Sequence, residues 1–496
     1  MGTAMEIAGM ILAAVMNIPF IINLIFAIVV VFYERKDPAV TWAWLMVIAF
    51  IPYVGFAIYL VLGLDSRKHK VFINKSQQDV QNANAILDMN IPGLAYAFSQ
   101  RKNTSLKSVL KLPGAEHLND LVYLNYTSGT GVLSLRNSVV MFYEGEAKFD
   151  AMLRDIAGAK SYVHLLYYIF RGDDLGRRVR DALVAKAREG IEVKLLIDGM
   201  GSNGTPKKFF RPIIEAGGQV AVFLPPWFVR MNYRNHRKIC VVDGLVGYVG
   251  GLNIGNEYVS KVKRFGYWRD THIRIVGDAA KELAMRFILD WNFCSKHKIL
   301  PESRYFPVCD EIPASVPMQI VCSGPDTKWA NILFAYTKMM TEADKNIYIQ
   351  TPYFAPGDSV FQVLKIAALS GIDVRIVIPA HPDHPFVYWA SLSFLGELLE
   401  AGVRCYKYEK GFIHSKLIVI DGLVSSTGTA NMDIRSFKLN FEVNAFIYDR
   451  QIANAFEIQF LEDLKECTEI TMAWYQNRPK TTRIKESVSR LLAPLL

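Results

Sequence analysis

One polar pattern occurs twice in this chain, and it limits what the chain can fold into more than any other feature. The stretch "NHRKICVVDGLVGYVGGLNIGN" places His236, Lys238, Asp243, Gly250 and Asn253 at fixed spacings. The stretch "FIHSKLIVIDGLVSSTGTANMD" repeats those spacings with His414, Lys416, Asp421, Gly428 and Asn431. Five residue types matching at fixed offsets have odds on the order of 10⁻⁷ to 10⁻⁶ per starting point with average usage, and here they match twice. A solvated surface accident does not account for that.

The repetition extends well upstream. "SYVHLLYYIFRGDDLGRRVRDALVAKAREGIEVKLLIDG" and "NIYIQTPYFAPGDSVFQVLKIAALSGIDVRIVIPA" share one plan: a β-like run, a Gly-Asp turn, a helix-period segment, a glycine and a second strand. Both then pass through "IIEAGGQVAVF" or "LLEAGVRCYKY" into the polar pattern. Strands alternating with helices predict an α/β layered domain, and two copies predict a pseudo-twofold pair.

Within each pattern, "KICVVDG" and "KLIVIDG" read as strands. Residues two apart on a strand share a face, so His236 projects with Lys238 and His414 with Lys416. Asp243 and Asp421 lie at an odd offset, which turns them away to pin the Asp-Gly turns. Gly250-Gly251 and Gly428-Thr429 allow close backbone approach, and Asn253 and Asn431 offer amides. Past each pattern comes an acid in a strand-like run, Asp270 and Glu442, able to accept a bond from a histidine Nδ1 and leave Nε2 free. Both copies together would supply two imidazoles, two ammoniums and two amides. That is equipment for a phosphodiester: a nucleophile, an acid for the leaving oxygen and fixed cations for the anionic oxygens, with no metal or cofactor expected.

The front end differs in kind. Residues 8–33 and 39–64 carry no charge, and each is long enough to cross about 30 Å of hydrocarbon as a helix. They are joined by "ERKDP" and predict a two-helix transmembrane hairpin. No Lys or Arg precedes the first span, which argues against a cleaved signal peptide. Arg67, Lys68, Lys70 and Lys75 follow the hairpin, against Arg35 and Lys36 in its connector, and favour a cytoplasmic main body. Of the 496 residues, 51% are hydrophobic, and the formal charge of +9 suits an anionic partner, nucleic acid or acidic lipid. The cysteines (240, 294, 309, 322, 405 and 467) lack metal-ligand spacing and read as buried thiols in a reducing compartment.

The doubled H-x-K-x₄-D-x₆-G-(G/S/T)-x-N pattern resembles the phospholipase D superfamily. The hairpin "ERKDPAVTWAWLMVIAFIPYVGFAIYLVLGL" and the closing "ESVSRLLAPLL" are similar to bacterial cardiolipin synthases of that type. The resemblance implies an α/β fold of two tandem phospholipase D-like sandwich domains in pseudo-twofold arrangement. A hairpin (8–64) and a linker or cap (65–140) would precede the domains (141–310 and 311–496). It implies transfer between two phosphatidylglycerols to give cardiolipin and glycerol, through a phosphatidyl-histidine. His236 would be the nucleophile and His414 the acid and base, with Lys238, Lys416, Asn253 and Asn431 on phosphoryl oxygens and Asp270 and Glu442 orienting the histidines. Gly251 departs from the more usual Ser, while Thr429 keeps a hydroxyl; both are counted with the substrate-binding residues, and Asp243 and Asp421 with the catalytic motif. The implied setting is the bacterial cytoplasmic membrane, multi-pass, with catalytic domains inside, phosphatidylglycerol and cardiolipin as partners, no nucleic acid, and a homo-oligomer left open. A hydrolytic phospholipase D and a membrane-tethered nuclease remain the competing readings.

Two further stretches are ambiguous by composition. "PPWFVRMNYRNH" interleaves aromatics with arginines and suits a lipid interface or a packed loop. "HPDHP" gathers His381, Asp383 and His384, and reads as a substrate-access loop in preference to a metal site.

Overall fold

The computed structural model describes residues 116–129, 131–224, 233–308, 312 and 314–493, together with 25, 27, 28, 31, 32, 38–50, 59 and 66–87 of the front end. The first sheet has seven strands: β1 (Asn137–Phe142), β2 (Tyr162–Tyr167), β3 (Glu192–Asp198), β4 (Gln219–Phe223), β5 (Lys238–Val242), β6 (Val246–Gly250) and β7 (His272–Gly277), in the order β1-β7-β6-β5-β2-β3-β4. The second contains β8 (Met318–Ser323), β9 (Asn346–Gln350), β10 (Asp373–Pro379), β11 (Arg404–Tyr408), β12 (Leu417–Ile420), β13 (Val424–Gly428), β14 (Asn440–Ile447) and β15 (Cys467–Ile470), in the order β8-β14-β13-β12-β9-β10-β11-β15. Strand for strand the two orders are the same, except that β15 is added antiparallel to β11. The duplication in the sequence is thus a duplication of topology.

Each sheet is covered on both faces, and β2, β5, β9 and β12 are accordingly mostly apolar and, apart from the half-buried Asn346, buried along their lengths. In the first half, helices Gly145–Ala157 and Asp174–Arg188 place Phe149, Met152, Ile156, Val179 and Leu183 against Val163, Leu165 and Leu195. Asp173 caps the second helix by accepting the Gly176 N–H. The long helix Asp278–Cys294, buried through nearly all its turns, leaves β7 and packs against the sheet. In the second half, Asn331–Thr341 and Gly357–Leu369 enter the core, while Arg450–Leu464 is the counterpart of the long helix. Helix Asn119–Ser128, inside the stretch read as linker or cap, joins the second core through Leu121, Val122 and Tyr126, and Leu118 precedes it there.

Two short parallel pairings stitch the halves together, and they are reciprocal. Arg234–Asn235, leading into the first pattern, pairs with Asn440–Phe441 of β14. Gly411–Ile413, leading into the second pattern, pairs with Tyr267–Arg269 of the first half. Each histidine-bearing segment is therefore laid against the other half's acid-bearing segment.

Most of the first expected membrane span and half of the second lie outside the described residues. The described part includes helix Pro38–Phe50, with Trp44 edge-on to Tyr59 at 5.1 Å. Among the described residues no helix is long and apolar enough to cross a membrane. None of the described cysteines forms a disulfide.

Asp243 and Asp421 hold matching turns. Asp243 accepts the N–H groups of Lys160, Ser161 and Tyr162, each at 2.8 Å, while Asp421 accepts those of Asp344, Lys345 and Asn346 at 2.7 to 2.8 Å. Both adopt left-handed backbone, with φ of 54° and 55°. Asp421→Ala, which loses the acceptor and keeps a Cβ in that conformation, is expected to cost about 3 kcal/mol. Asp421→Gly should recover about 1 kcal/mol of it; denaturant midpoints of the three proteins provide the check.

Candidate active site

The strand pairings bring both histidines to one place. The His236 N–H donates to the Phe441 carbonyl at 3.0 Å, and the next residue on that strand, Glu442, meets the His236 ring. Nδ1 lies 3.0 and 3.1 Å from the two Glu442 oxygens. In the mirrored arrangement the His414 N–H donates to the Arg269 carbonyl at 2.7 Å, and Nδ1 lies 2.8 Å from Asp270 Oδ2. A carboxylate accepts from Nδ1–H, so the neutral ring carries its lone pair on Nε2. Each half's imidazole is thereby oriented by the other half's acid.

The lysines sit beneath the histidines they accompany. Lys238 Nζ donates to the His236 carbonyl at 2.7 Å and lies 5.4 Å from the centre of the Tyr168 ring. Lys416 Nζ donates to the His414 carbonyl at 2.6 Å. Burial pushes the Lys238 ammonium down to about 7 and the Lys416 ammonium down to about 8, against the pull of Glu442 and Asp270. Burial also lowers both histidines to about 4, so at neutral pH each imidazole is uncharged in the empty cleft. Burial alone would raise Asp270 and Glu442, yet His414 with Lys416 and His236 with Lys238 hold these carboxyls below their ordinary values. Between pH about 4 and 7, with both lysines charged and both imidazoles neutral, the buried cluster is balanced: two cations against two carboxylates.

Both histidines open onto a cleft of about 450 Å³, lined also by Asn253, Asn431, Tyr168, Tyr258, Trp268, Tyr353 and Phe386. Asn253 is fixed by accepting the Ile169 N–H at 3.1 Å and donating to the Tyr258 hydroxyl at 3.2 Å. The Asn431 side-chain oxygen is buried without a protein partner. Asp243 and Asp421 are at the far ends of their strands, in the turns described above. Thr429 is fully buried and donates its hydroxyl to Glu442; Gly251 lies against Asp270, so both are behind the histidines and not among the cleft-lining residues.

This last pair explains the departure from serine at Gly251. A Cβ there would come within 2.0 Å of Asp270 Oδ1. In the second half, Thr429 Oγ1 and Asn440 Nδ2 both donate to Glu442, whereas Asp270 takes the Thr271 N–H at 2.7 Å and faces Trp268 Nε1 at 3.5 Å.

Several lining residues went unread in the sequence. Tyr168 follows β2 at its carboxyl end, where α/β sheets collect their sites, and its ring meets His236 edge-on at 4.9 Å. Trp268 lies 5.2 Å from His414, ring centre to ring centre. Arg234 and Arg435 also line the cleft. In "HPDHP", Asp383 and His384 reach the lining and Asp383 accepts the Tyr353 hydroxyl. Among the described residues no group of three or more His, Cys, Asp or Glu is gathered to hold a metal ion. Trp227, Phe228 and Arg230 lie outside the described residues, and Tyr233 is buried.

Comparison with known proteins agrees in extent with the duplication. The family described as "Cardiolipin synthase, PLD-like domain" matches residues 152–287 and 336–464, and "Phospholipase D-nuclease N-terminal" matches residues 21–63. The "Major cardiolipin synthase ClsA" of Bacillus subtilis (strain 168) is 47% identical over 486 residues, covering 96% of this chain and 98% of its own. A "Cardiolipin synthase" of Listeria monocytogenes serotype 4a is 46% identical over 492 residues, covering 98% and 99%. Among solved structures, a phosphatidylserine synthase of Haemophilus influenzae shares the fold with a TM-score of 0.59 at 14% identity, over 76% of this chain and all of that one.

Gly251→Ala must push the Asp270 carboxylate off its seat. The expected cost is about 2 kcal/mol, read from urea unfolding. Asp270→Gly with Gly251→Ala should relieve the clash and lose less than the two single changes summed.

Proposed function

Because the chain belongs to the cardiolipin synthase family of phospholipase D-like proteins, we propose that it transfers a phosphatidyl group from one phosphatidylglycerol to another, giving cardiolipin and glycerol. The observation that carries this reading is the pair of imidazoles lining one cleft, each held through Nδ1 by the opposite half's carboxylate and each with a lysine beneath it.

In this reading the first lipid's phosphodiester adds one negative charge to a balanced cluster. Its anion favours protonation of a nearby imidazole. One proton on His414 restores neutrality and leaves His236 as the neutral nucleophile. His236 Nε2 attacks phosphorus, the bond to the headgroup glycerol oxygen breaks, and the His414 imidazolium gives that oxygen its proton. His414, now neutral, takes a proton from the glycerol hydroxyl of a second phosphatidylglycerol. That oxygen attacks phosphorus, the P–N bond breaks, and His236 is free again. Lys238, Lys416, Asn253 and Asn431 stabilise the phosphoryl oxygens throughout. One phosphodiester is exchanged for another, so the reaction needs no nucleotide. Tyr258, Trp268, Tyr353 and Phe386 give the cleft apolar walls that suit a lipid alcohol better than bulk water as acceptor.

Residues 8–64 serve as a membrane hairpin in the bacterial cytoplasmic membrane, with the two catalytic domains (141–310 and 311–496) on the cytoplasmic side. The match of residues 21–63 to the N-terminal family and the two uncharged stretches support this. Asp243 and Asp421 contribute through the turns they hold, and Gly251 and Thr429 through the carboxylates behind the histidines.

The full-length protein in vesicles, given phosphatidylglycerol without nucleotide, should yield cardiolipin and glycerol. Phosphatidic acid alone would mean that water is the acceptor. His236→Ala and His414→Ala should each abolish turnover, and full activity in either would rule out a shared site. Apparent affinity for phosphatidylglycerol should weaken above pH about 7 to 8, because Lys238 and then Lys416 lose the protons that bind the phosphate. An affinity flat to pH 10 would contradict that role.

A further inference from the structure

Helix Lys480–Leu492 is built inside out. Its packed face carries Glu486 and Ser489, 3% and 0% exposed, while Ile484, Val488 and Leu491 stand outward at 63%, 49% and 81%. The outward three fall at i, i+4 and i+7, one continuous stripe along the helix. An ordinary surface helix does the reverse, so burial in this fold did not select the stripe. Four basic residues, Lys480, Arg483, Lys485 and Arg490, share the helix with one acid, Glu486, which is turned inward onto Arg478 at 3.2 Å.

The helix is also fixed beside the cleft. It packs on helix Pro385–Glu400: Lys485 lies over the Trp389 ring at 4.9 Å, Arg490 over the Phe394 ring at 4.7 Å, and Ala493 against Ala390. The first turn of that helix, Pro385, Phe386 and Val387, lines the cleft, and Phe386 is itself exposed.

We propose that the Ile484–Val488–Leu491 stripe is a membrane-contact surface, lying flat at the headgroup–acyl boundary of an anionic bilayer and holding the cleft mouth against it. An apolar stripe flanked by cations with the acid turned away is the pattern of an interfacial helix. A protein partner would equally cover the stripe, but with Arg490 paired to Glu397 at 3.3 Å and Glu486 turned onto Arg478, the bases Lys480, Arg483 and Lys485 beside the stripe favour an anionic lipid surface. The proposal rests on the lipid-substrate reading above for its purpose; the contact itself is tested without it.

The full-length chain carrying p-benzoylphenylalanine in place of Val488 is reconstituted into vesicles of phosphatidylglycerol and phosphatidylcholine and irradiated. A phospholipid adduct on the peptide containing position 488 is expected. A cross-link to residues 1–64, to a second copy, or no adduct at all would overturn the proposal. In the second arm, Ile484→Gln, Val488→Gln and Leu491→Gln are combined. Turnover of vesicle-borne phosphatidylglycerol should fall about tenfold or more, with turnover of a short-chain phosphatidylglycerol below its micellar concentration within about twofold. Equal loss on both substrates, or no loss on vesicles, would overturn it. A lipid adduct on the p-benzoylphenylalanine chain together with no cardiolipin from the wild-type chain would remove the catalytic reading and leave the membrane contact standing.

Discussion

Of the hydrogen bonds that cross the seam between the repeats, the site depends above all on two. His236 reaches Glu442 and His414 reaches Asp270, so neither half orients its own imidazole. Both bonds follow from the reciprocal strand pairings, in which the residue leading each histidine is laid parallel to the residue leading the opposite acid. Further buried groups reinforce the seam. Arg237 Nε donates to the Glu442 carbonyl at 3.1 Å and pairs with Asp290; Arg269 pairs with Asp463; and Thr271 and Ser415 hydroxyls meet at 2.7 Å. Charges buried this fully are strongly destabilising when one partner is lost, so the seam that orients the histidines is also one the fold cannot readily open.

The same arrangement governs the electrostatics. Burial strips protons from both histidines and weakens the hold of both lysines on theirs, while the carboxylates pull the other way. In the proposed mechanism, a cluster balanced without substrate is out of balance by one charge when a phosphodiester anion enters. A single proton would correct this, and placing it on one imidazole would make two equivalent residues into an acid and a nucleophile. The asymmetry that this chemistry needs would then come from the substrate, on a scaffold that is nearly symmetric.

Much of this was legible in the sequence because duplication is a register. Matched spacings gave two α/β halves, and period-two alternation put His236 with Lys238 and His414 with Lys416. What spacing does not carry is which acid serves which histidine: Asp270 and Glu442 stand at similar distances past their own patterns, and only the folded seam crosses them. Thr429 reads as a substrate contact because its hydroxyl is next to a motif residue, yet it points behind the site to Glu442. Helix Asn119–Ser128 reads as part of a connector because the stretch around it is polar and mixed, but Leu121, Val122 and Tyr126 face the second core. The aromatic lining, from Tyr168 to Phe386, comes from segments far apart in sequence and has no local signature.

The crossed assignment of acids is the central claim, and a covalent trap tests it directly. In a His414→Ala background, an activated phosphatidyl ester whose leaving group needs no acid should phosphorylate His236, seen by mass spectrometry after acid-free quenching. Adding Glu442→Gln should suppress that adduct, and adding Asp270→Asn should leave it in place. An adduct on His236 that depends on Asp270 and survives the loss of Glu442 would contradict the account.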